Sequence, residues 1–111
     1  MQASMDSRIF PVGSTAVIFA AQRSGQDTAG YAHASDAMDK LAAQQPGFLG
    51  MDHASSADSL GITVSYWADD ASARTWRDNP DHKAARDAGR ERWYSSYTLH
   101  VAQIERGYAW P

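Results

Sequence analysis

The sequence Phe48-Leu-Gly-Met-Asp-His-Ala-Ser55, the polar turn Ser56-Ala-Asp-Ser59 and the sequence Gly61-Ile-Thr-Val-Ser-Tyr-Trp67 together decide the fold. Both outer runs have the composition of β-strands, and the short polar turn between them contains the residue types that favour chain reversal. These two runs are therefore predicted to pair as an antiparallel hairpin.

A strand and a helix are predicted before the hairpin. Thr15–Arg23 is rich in residues that favour strands and ends at the breaker Ser24-Gly25. Gly30–Gln45 then places apolar residues at helical spacing, with charged residues elsewhere, and stops at Pro46-Gly47. The order up to the hairpin is thus strand, helix, strand, strand.

Helical residues followed by a last strand are predicted after the hairpin. Asp69-Asp70 offers an N-cap for a short helix that contains Trp76, and Asn79-Pro80-Asp81 has the cap-then-proline order of a second helix start. The helical block is expected to continue to about Ser96, and Tyr97–Glu105 returns to strand character. The complete order is β-α-β-β-α-β.

This order predicts an α+β, ferredoxin-like fold, a four-stranded antiparallel sheet with its helices on one face. The strands nevertheless carry apolar residues on both faces, as in the consecutive Val17, Ile18 and Phe19. Because the helices cover one face only, a second copy of the chain is the expected cover of the other face. The aromatic tail Tyr108-Ala-Trp110-Pro111 also favours contact with a second copy, so a homodimer is predicted.

Length and composition limit the function further. The 111 residues fit one domain, with an N-terminal arm at 1–14, the folded domain at 15–106 and a C-terminal tail at 107–111. The net charge of −3 without a basic block argues against a nucleic-acid or anionic-membrane partner. The absence of cysteine excludes thiolate metal sites and disulfides, and no signal peptide or membrane span is recognised. A cytoplasmic location is expected.

Several motifs resemble those of the antibiotic biosynthesis monooxygenase family: Gln45-Pro-Gly-Phe-Leu-Gly50, the strand that ends in Trp67, the helical Trp76, and Asn79-Pro-Asp-His82. The resemblance extends over about Thr15 to Arg106. It implies a dimeric α/β barrel built from two ferredoxin-like sheets, with a pocket between helices and sheet in each subunit. Some members oxidise polycyclic phenols to quinones with molecular oxygen and without metal or flavin, some degrade haem, and many have no known activity.

The best candidates for catalysis lie on the helix that starts at Asn79. His82 is expected in its first turn, where the helix dipole favours the neutral ring, and Arg86 and Trp93 continue on the same face. His82 and Arg86 are therefore predicted catalytic residues, although His82 can equally be a surface residue beside Asp81. Trp76 and Trp93 are predicted to contact the substrate, and core packing is the alternative for Trp76.

Tyr66 and Trp67 are also candidate substrate-binding residues. Neighbours on a strand point to opposite faces, so only one of the two can serve the pocket. In the haem-degrading relatives a His that follows a Lys-Ala-Ala run binds iron, and here Arg86 follows Lys83-Ala-Ala85. Arginine has no lone pair for a metal, which disfavours haem, although His82 can in principle substitute.

The leading hypothesis is a cofactor-independent monooxygenase or oxidase that acts on an aromatic or quinol-like small molecule. In it His82 deprotonates the substrate, and Arg86 or Tyr66 holds the resulting oxyanion. The alternatives are a non-catalytic dimeric module that binds a small molecule, and a haem-binding or haem-degrading protein. No metal site is predicted, since the remaining histidines lack paired spacing, and Asp52-His53 cannot relay a proton along its own strand.

Overall fold

The computed structural model describes residues 8–111, so the first seven residues of the predicted N-terminal arm lie outside the described residues. Four strands and three helices follow one another in the predicted order, with a five-residue π-helical turn before the last strand. The elements are β1 (Thr15–Arg23), α1 (Thr28–Ala43), β2 (Phe48–Ser55), β3 (Leu60–Trp67), α2 (Asp70–Arg77), α3 (Pro80–Ala88), the π turn (Gly89–Trp93) and β4 (Tyr94–Gln103).

The four strands form one antiparallel sheet in the order β2-β3-β1-β4. β2 and β3 pair as the predicted hairpin, and β1 lies between β3 and β4. The α+β, ferredoxin-like fold is thus confirmed.

Polar caps explain where the helices begin. The carboxylate of Asp27 accepts a hydrogen bond from the backbone N–H of Gly30, and that of Asp69 accepts one from Ser72. The side chain of Asn79 accepts from the first backbone N–H groups of α3, with Pro80 in the first helical position. After α1, Gly47 turns the chain into β2 with a φ of 83°, a conformation that side chains other than glycine disfavour.

Two predicted starts are wrong by more than one residue. α1 starts at Thr28 and not at Gly30, because Asp27 in a left-handed conformation (φ 48°) supplies the cap. β4 starts at Tyr94 and not at Tyr97, because the π turn ends the helix at Trp93 and Tyr94 pairs with Arg23 across an irregularity in the ladder.

The buried core lies between the sheet and the helices at one end of the strands. Its centre consists of Ala42, Trp67, Ala73 and Trp76, and Met38, Leu41 and Phe48 are among the side chains that pack around it. The rings of Phe48 and Trp67 meet edge to face with centroids 5.5 Å apart. This core fixes α1 and α2 on the same face of the sheet.

The opposite, outer face of the sheet is only partly covered within one chain. Phe10 packs on Tyr66 there with ring centroids 4.3 Å apart, and Gly13 and Ser14 exchange backbone hydrogen bonds with Ile104. Leu60 and Ile62 stay exposed, as do Tyr108 and Trp110 in the tail. Within residues 8–111, no helix has the length and apolar character needed to cross a membrane.

Candidate functional site

A cavity of about 780 Å³ lies between the helices and the sheet, a volume in the range of small-molecule sites. Two rows of side chains that run across the four strands form its floor. One row is Met51, Ser65, Val17 and Val101, and the other is His53, Thr63, Phe19 and Leu99. The floor is therefore mainly apolar, with its polar groups on β2 and β3.

The cavity opens on the side of β4. Leu99 and Val101 belong to the floor, yet each is about half exposed. Among the described elements, the helices that contact the sheet most closely lie over the other three strands. A ligand can therefore enter over β4.

The structure brings four of the six predicted site residues to this cavity: His82, Arg86, Trp76 and Trp93. Tyr66 lies on the outer face, where its hydroxyl donates to Asp52 Oδ2 at 3.2 Å. Trp67 is completely buried in the core, and its Nε1 donates to Ser65 Oγ at 2.9 Å. Neither Tyr66 nor Trp67 lines the cavity, so no direct contact with a ligand there is expected of them.

The hydrogen bond of His82 defines its reactive nitrogen. Its Nδ1 lies 2.9 Å from the backbone carbonyl oxygen of Trp76, and a carbonyl can only accept. Nδ1 therefore carries the hydrogen and donates it, which leaves the lone pair of Nε2 available. Burial lowers the pKa of His82 and the Arg86 cation lowers it further, against the opposing effect of the bond to Trp76. The ring is thus held neutral and can accept a proton.

Trp76 positions His82 rather than offering a face to a ligand. The two rings are nearly parallel, with centroids 4.2 Å apart, and Trp67 lies against Trp76 at 6.1 Å. Trp76 is only 7% exposed, so it reaches the cavity at an edge. This geometry favours a role of Trp76 in core packing, which was the alternative to the predicted contact with the substrate.

Four arginines line the cavity: Arg74, Arg77, Arg86 and Arg90. The first two pair with nearby carboxylates at 2.6 and 2.9 Å. Arg86 instead donates to the backbone carbonyl of Arg77 at 3.2 Å, and Arg90 donates to the hydroxyl of Tyr97 at 2.6 Å. Within residues 8–111, no carboxylate pairs with Arg86 or Arg90, so this wall favours an anionic oxygen on a ligand.

Aromatic side chains form the end of the cavity near the π turn. Trp93 is fixed by a hydrogen bond from its Nε1 to Asp27 Oδ2 at 3.1 Å. Burial raises the pKa of Tyr94, which keeps that phenol neutral. The aromatic residues of this end are Phe19, Tyr31, Trp93, Tyr94 and Tyr97. Such a cluster suits a flat aromatic ligand.

A second polar centre, which the sequence did not predict, lies on the floor. His53 Nδ1 is 2.8 Å from Thr63 Oγ1, and its Nε2 is 3.1 Å from Asp39 Oδ1. Strand alternation correctly places His53 and its chain neighbour Asp52 on opposite faces of the sheet. The actual partners of His53 come instead from β3 and α1. Only the strand register and the helix position reveal them. In the described part of the chain, no group of three or more His, Asp or Glu side chains is placed to hold a metal ion.

A ferredoxin-like sheet with a cavity of this size beneath its helices defines a small α+β protein whose cavity has the volume of small-molecule sites. The model of the family described as Antibiotic biosynthesis monooxygenase matches residues 15–88, more than half of the chain. The chain belongs to this family, which confirms the resemblance seen in its motifs.

Individual relatives agree with this membership. The uncharacterized protein YqjZ of Bacillus subtilis (strain 168) is 46% identical over 91 residues, which cover 82% of this chain and 79% of that protein. The solved structure of SnoaB, a cofactor-independent oxygenase from Streptomyces nogalater, has a TM-score of 0.73 at 14% identity, covering 86% of this chain and 96% of that one. The structure of a putative antibiotic biosynthesis monooxygenase from Nitrosomonas europaea has a TM-score of 0.73 at 14% identity, and the match covers 86% of this chain and 93% of that one. At such identities the two structures show a shared fold.

Proposed function

We propose that this protein is a cofactor-independent oxygenase that oxidises an aromatic, quinol-like small molecule with molecular oxygen. The observation that carries the proposal is the neutral imidazole of His82, which keeps the lone pair of Nε2 available and lines a largely apolar cavity together with Arg86. Family membership supports the reaction class, and SnoaB is a structural relative described as a cofactor-independent oxygenase.

In this proposal, a phenolic hydroxyl of the substrate binds between His82 and Arg86. The Nε2 of His82 takes the hydroxyl proton, and the phenolate that remains is more electron-rich than the phenol. The guanidinium of Arg86 holds the developing oxyanion, and its bond to the carbonyl of Arg77 orients it. The two side chains thus supply the base and the anion contact.

Oxygen then reacts with the substrate itself. Molecular oxygen adds to an electron-rich ring carbon of the phenolate to give a hydroperoxide, which loses water to leave a quinone. Phenol and oxygen become quinone and water, so one oxygen atom stays in the product and the substrate supplies all the electrons. The protein contributes proton transfer, charge stabilisation and orientation.

These residues fit the haem-degrading members of the family less well. Arg86 stands where the resemblance would place the iron-binding His, and its guanidinium has no lone pair. Titration with haemin tests this directly, and we expect no Soret shift beyond non-specific adsorption. A saturable shift at one haem per chain, with decay of the band under reductant and air, would replace the oxygenase proposal.

The test of the oxygenase is oxygen uptake with a panel of polycyclic phenols and quinols. We expect uptake by the wild type and its loss in the His82→Ala, Arg86→Ala double variant. The matched control is His33→Ala, Arg106→Ala, because both of these side chains are exposed outside the cavity. Full uptake by the first double variant would refute the assigned roles, and saturable phenol binding without uptake would identify a binding module.

We propose further that the working unit is a homodimer. The outer face of the sheet leaves Leu60 and Ile62 exposed, and the tail leaves Tyr108 and Trp110 exposed. Exposed apolar residues of this kind suit contact with a second copy. Sedimentation equilibrium tests the proposal, and a monomer at high micromolar concentration would refute it.

A further inference from the structure

The second polar centre of the cavity connects its floor to the surface. Thr63 is partly buried and lines the cavity, as do His53 and Asp39. The side chains of His53 and Asp39 are nevertheless 44% and 41% exposed. The hydrogen-bonded chain from Thr63 through His53 to Asp39 thus runs along the cavity from a partly buried hydroxyl to side chains that solvent reaches.

The partners of His53 determine which of its nitrogens carries the hydrogen. An ionised Asp39 can only accept, so the Nε2 of His53 carries the hydrogen and donates it to Oδ1. In a neutral ring, Nδ1 then has the lone pair and accepts the hydroxyl hydrogen of Thr63. This is the reverse of His82, whose hydrogen is on Nδ1.

We propose that Thr63, His53 and Asp39 form a proton relay that takes the proton of a ligand hydroxyl from the cavity to solvent. The proposal rests on the proposed function, because it needs a hydroxylated aromatic ligand in this cavity. Within it, Thr63 is the residue that touches the ligand, and Asp39 is a positioning residue that holds His53 in the required tautomer.

The relay conserves every proton. The ligand hydroxyl donates its proton to Thr63 Oγ1 as the hydrogen already on Oγ1 moves to His53 Nδ1. The products are a ligand oxyanion and a His53 imidazolium, whose Nε2–H stays bonded to Asp39. The exposed imidazolium then releases its Nε2 proton to water, and exchange with solvent after the ligand has left restores the Nε2–H tautomer. No oxidant and no bond other than O–H and N–H is involved.

The relay and His82 have different places in the molecule. His82 is a partly buried base on α3, whereas Thr63 is on β3 in the same row as Phe19 and Leu99. A quinol has two hydroxyl groups, and the oxygenase reaction must also protonate the oxygen that leaves as water. Two separate groups for proton transfer therefore suit a substrate with hydroxyls at more than one position.

The probe for the test is alizarin, a flat hydroxyanthraquinone whose colour reports whether its phenol is ionised. The full-length protein is titrated with the dye at fixed pH, and the spectrum of the bound dye gives its ratio of phenolate to phenol. We expect this ratio to fall about tenfold in Thr63→Val, since a hydrogen bond to a charged group is lost. Asp39→Asn should lower it as well.

The matched control is Thr75→Val, the same substitution at an exposed threonine whose hydroxyl donates to the backbone carbonyl of Ala71. It should leave the dye ratio unchanged. A second measurement, the ¹⁵N–¹H correlation spectrum of the histidine rings, should show His53 with its hydrogen on Nε2 and should change in Asp39→Asn. A purely structural hydrogen bond would change neither the dye ratio nor its dependence on Asp39.

The outcomes separate the two proposals. Dye bound by Thr63→Val with the wild-type ratio, or a His53 ring with its hydrogen on Nδ1, would overturn the relay alone and leave the oxygenase standing. No saturable dye binding by the wild-type protein would overturn the relay together with the aromatic ligand of the proposed function.

Discussion

Replacing Trp76 with alanine tests whether this side chain builds the core or contacts a ligand. Trp76 is 7% exposed, and its ring lies 6.1 Å from that of Trp67 and 4.2 Å from that of His82. Removing a buried tryptophan costs about 3–5 kcal/mol, a large part of the roughly 5–15 kcal/mol that stabilises a domain. We therefore expect a loss of free energy of unfolding in that range and a melting temperature more than about 10 °C lower.

The measurement is urea denaturation followed by far-ultraviolet circular dichroism, which does not depend on tryptophan emission. The control is Trp110→Ala, because Trp110 is 86% exposed and its loss within one chain should cost less than about 0.5 kcal/mol. Any larger loss at Trp110 that shrinks on dilution would belong to a contact between subunits. A cost below about 1 kcal/mol for Trp76→Ala would refute the core role and restore the predicted contact of Trp76 with the substrate.

Three further predictions concern pH, packing and assembly. Since burial lowers the native pKa of His82 below its ordinary 6.5, the stability due to the neutral ring is complete above pH 6.5 and is lost as pH falls through the lower native pKa. His82→Gln should therefore flatten the pH dependence of the free energy of unfolding below pH 6.5, and matching curves for the wild type and His82→Gln would contradict this. A Cβ at Gly89 would lie 2.6 Å from a ring carbon of Tyr94, so Gly89→Ala should cost about 1–3 kcal/mol in urea denaturation, and an unchanged midpoint would mean that the ring moves away freely. Ile62→Lys places a charge on the exposed outer face and should yield a folded monomer in sedimentation velocity, whereas a dimeric variant would count against this interface.

The sequence predicts the fold where local signals are strong. The bounds of β2 are exact and β3 begins one residue earlier than expected, because strand composition and a polar turn define the hairpin. The caps at Asp69 and Asn79 likewise place α2 and α3. The junction of helix and β4 is different, since Gly89–Ser96 contains no proline that would stop the helix. There the pairing of Tyr94 with Arg23, a long-range contact, decides the boundary.

The candidate site is likewise predicted where local signals are strong and not where long-range contacts decide. The helical spacing of His82 and Arg86 places both on one wall, because residues four apart share a helix face. Strand alternation also separates Tyr66 from Trp67, but it does not tell which of them faces the helices, or that Trp67 is fully buried in the core. The partners of His53 depend on strand register and on where α1 lies, and neither is encoded in the residues next to His53.

The π turn at Gly89–Trp93 makes this segment the point where the chain can change length. A π-helical turn holds one residue more than an α-helical turn, as a single-residue insertion in a helix does. The cap at Asn79 fixes one side, and the long ladder of β4 with β1 fixes the other. Gain or loss of one residue here would therefore rotate Arg90 and Trp93 around the helix axis without disturbing the sheet. A variant with one residue more or fewer in this segment would thus present different side chains to the same cavity on an unchanged scaffold.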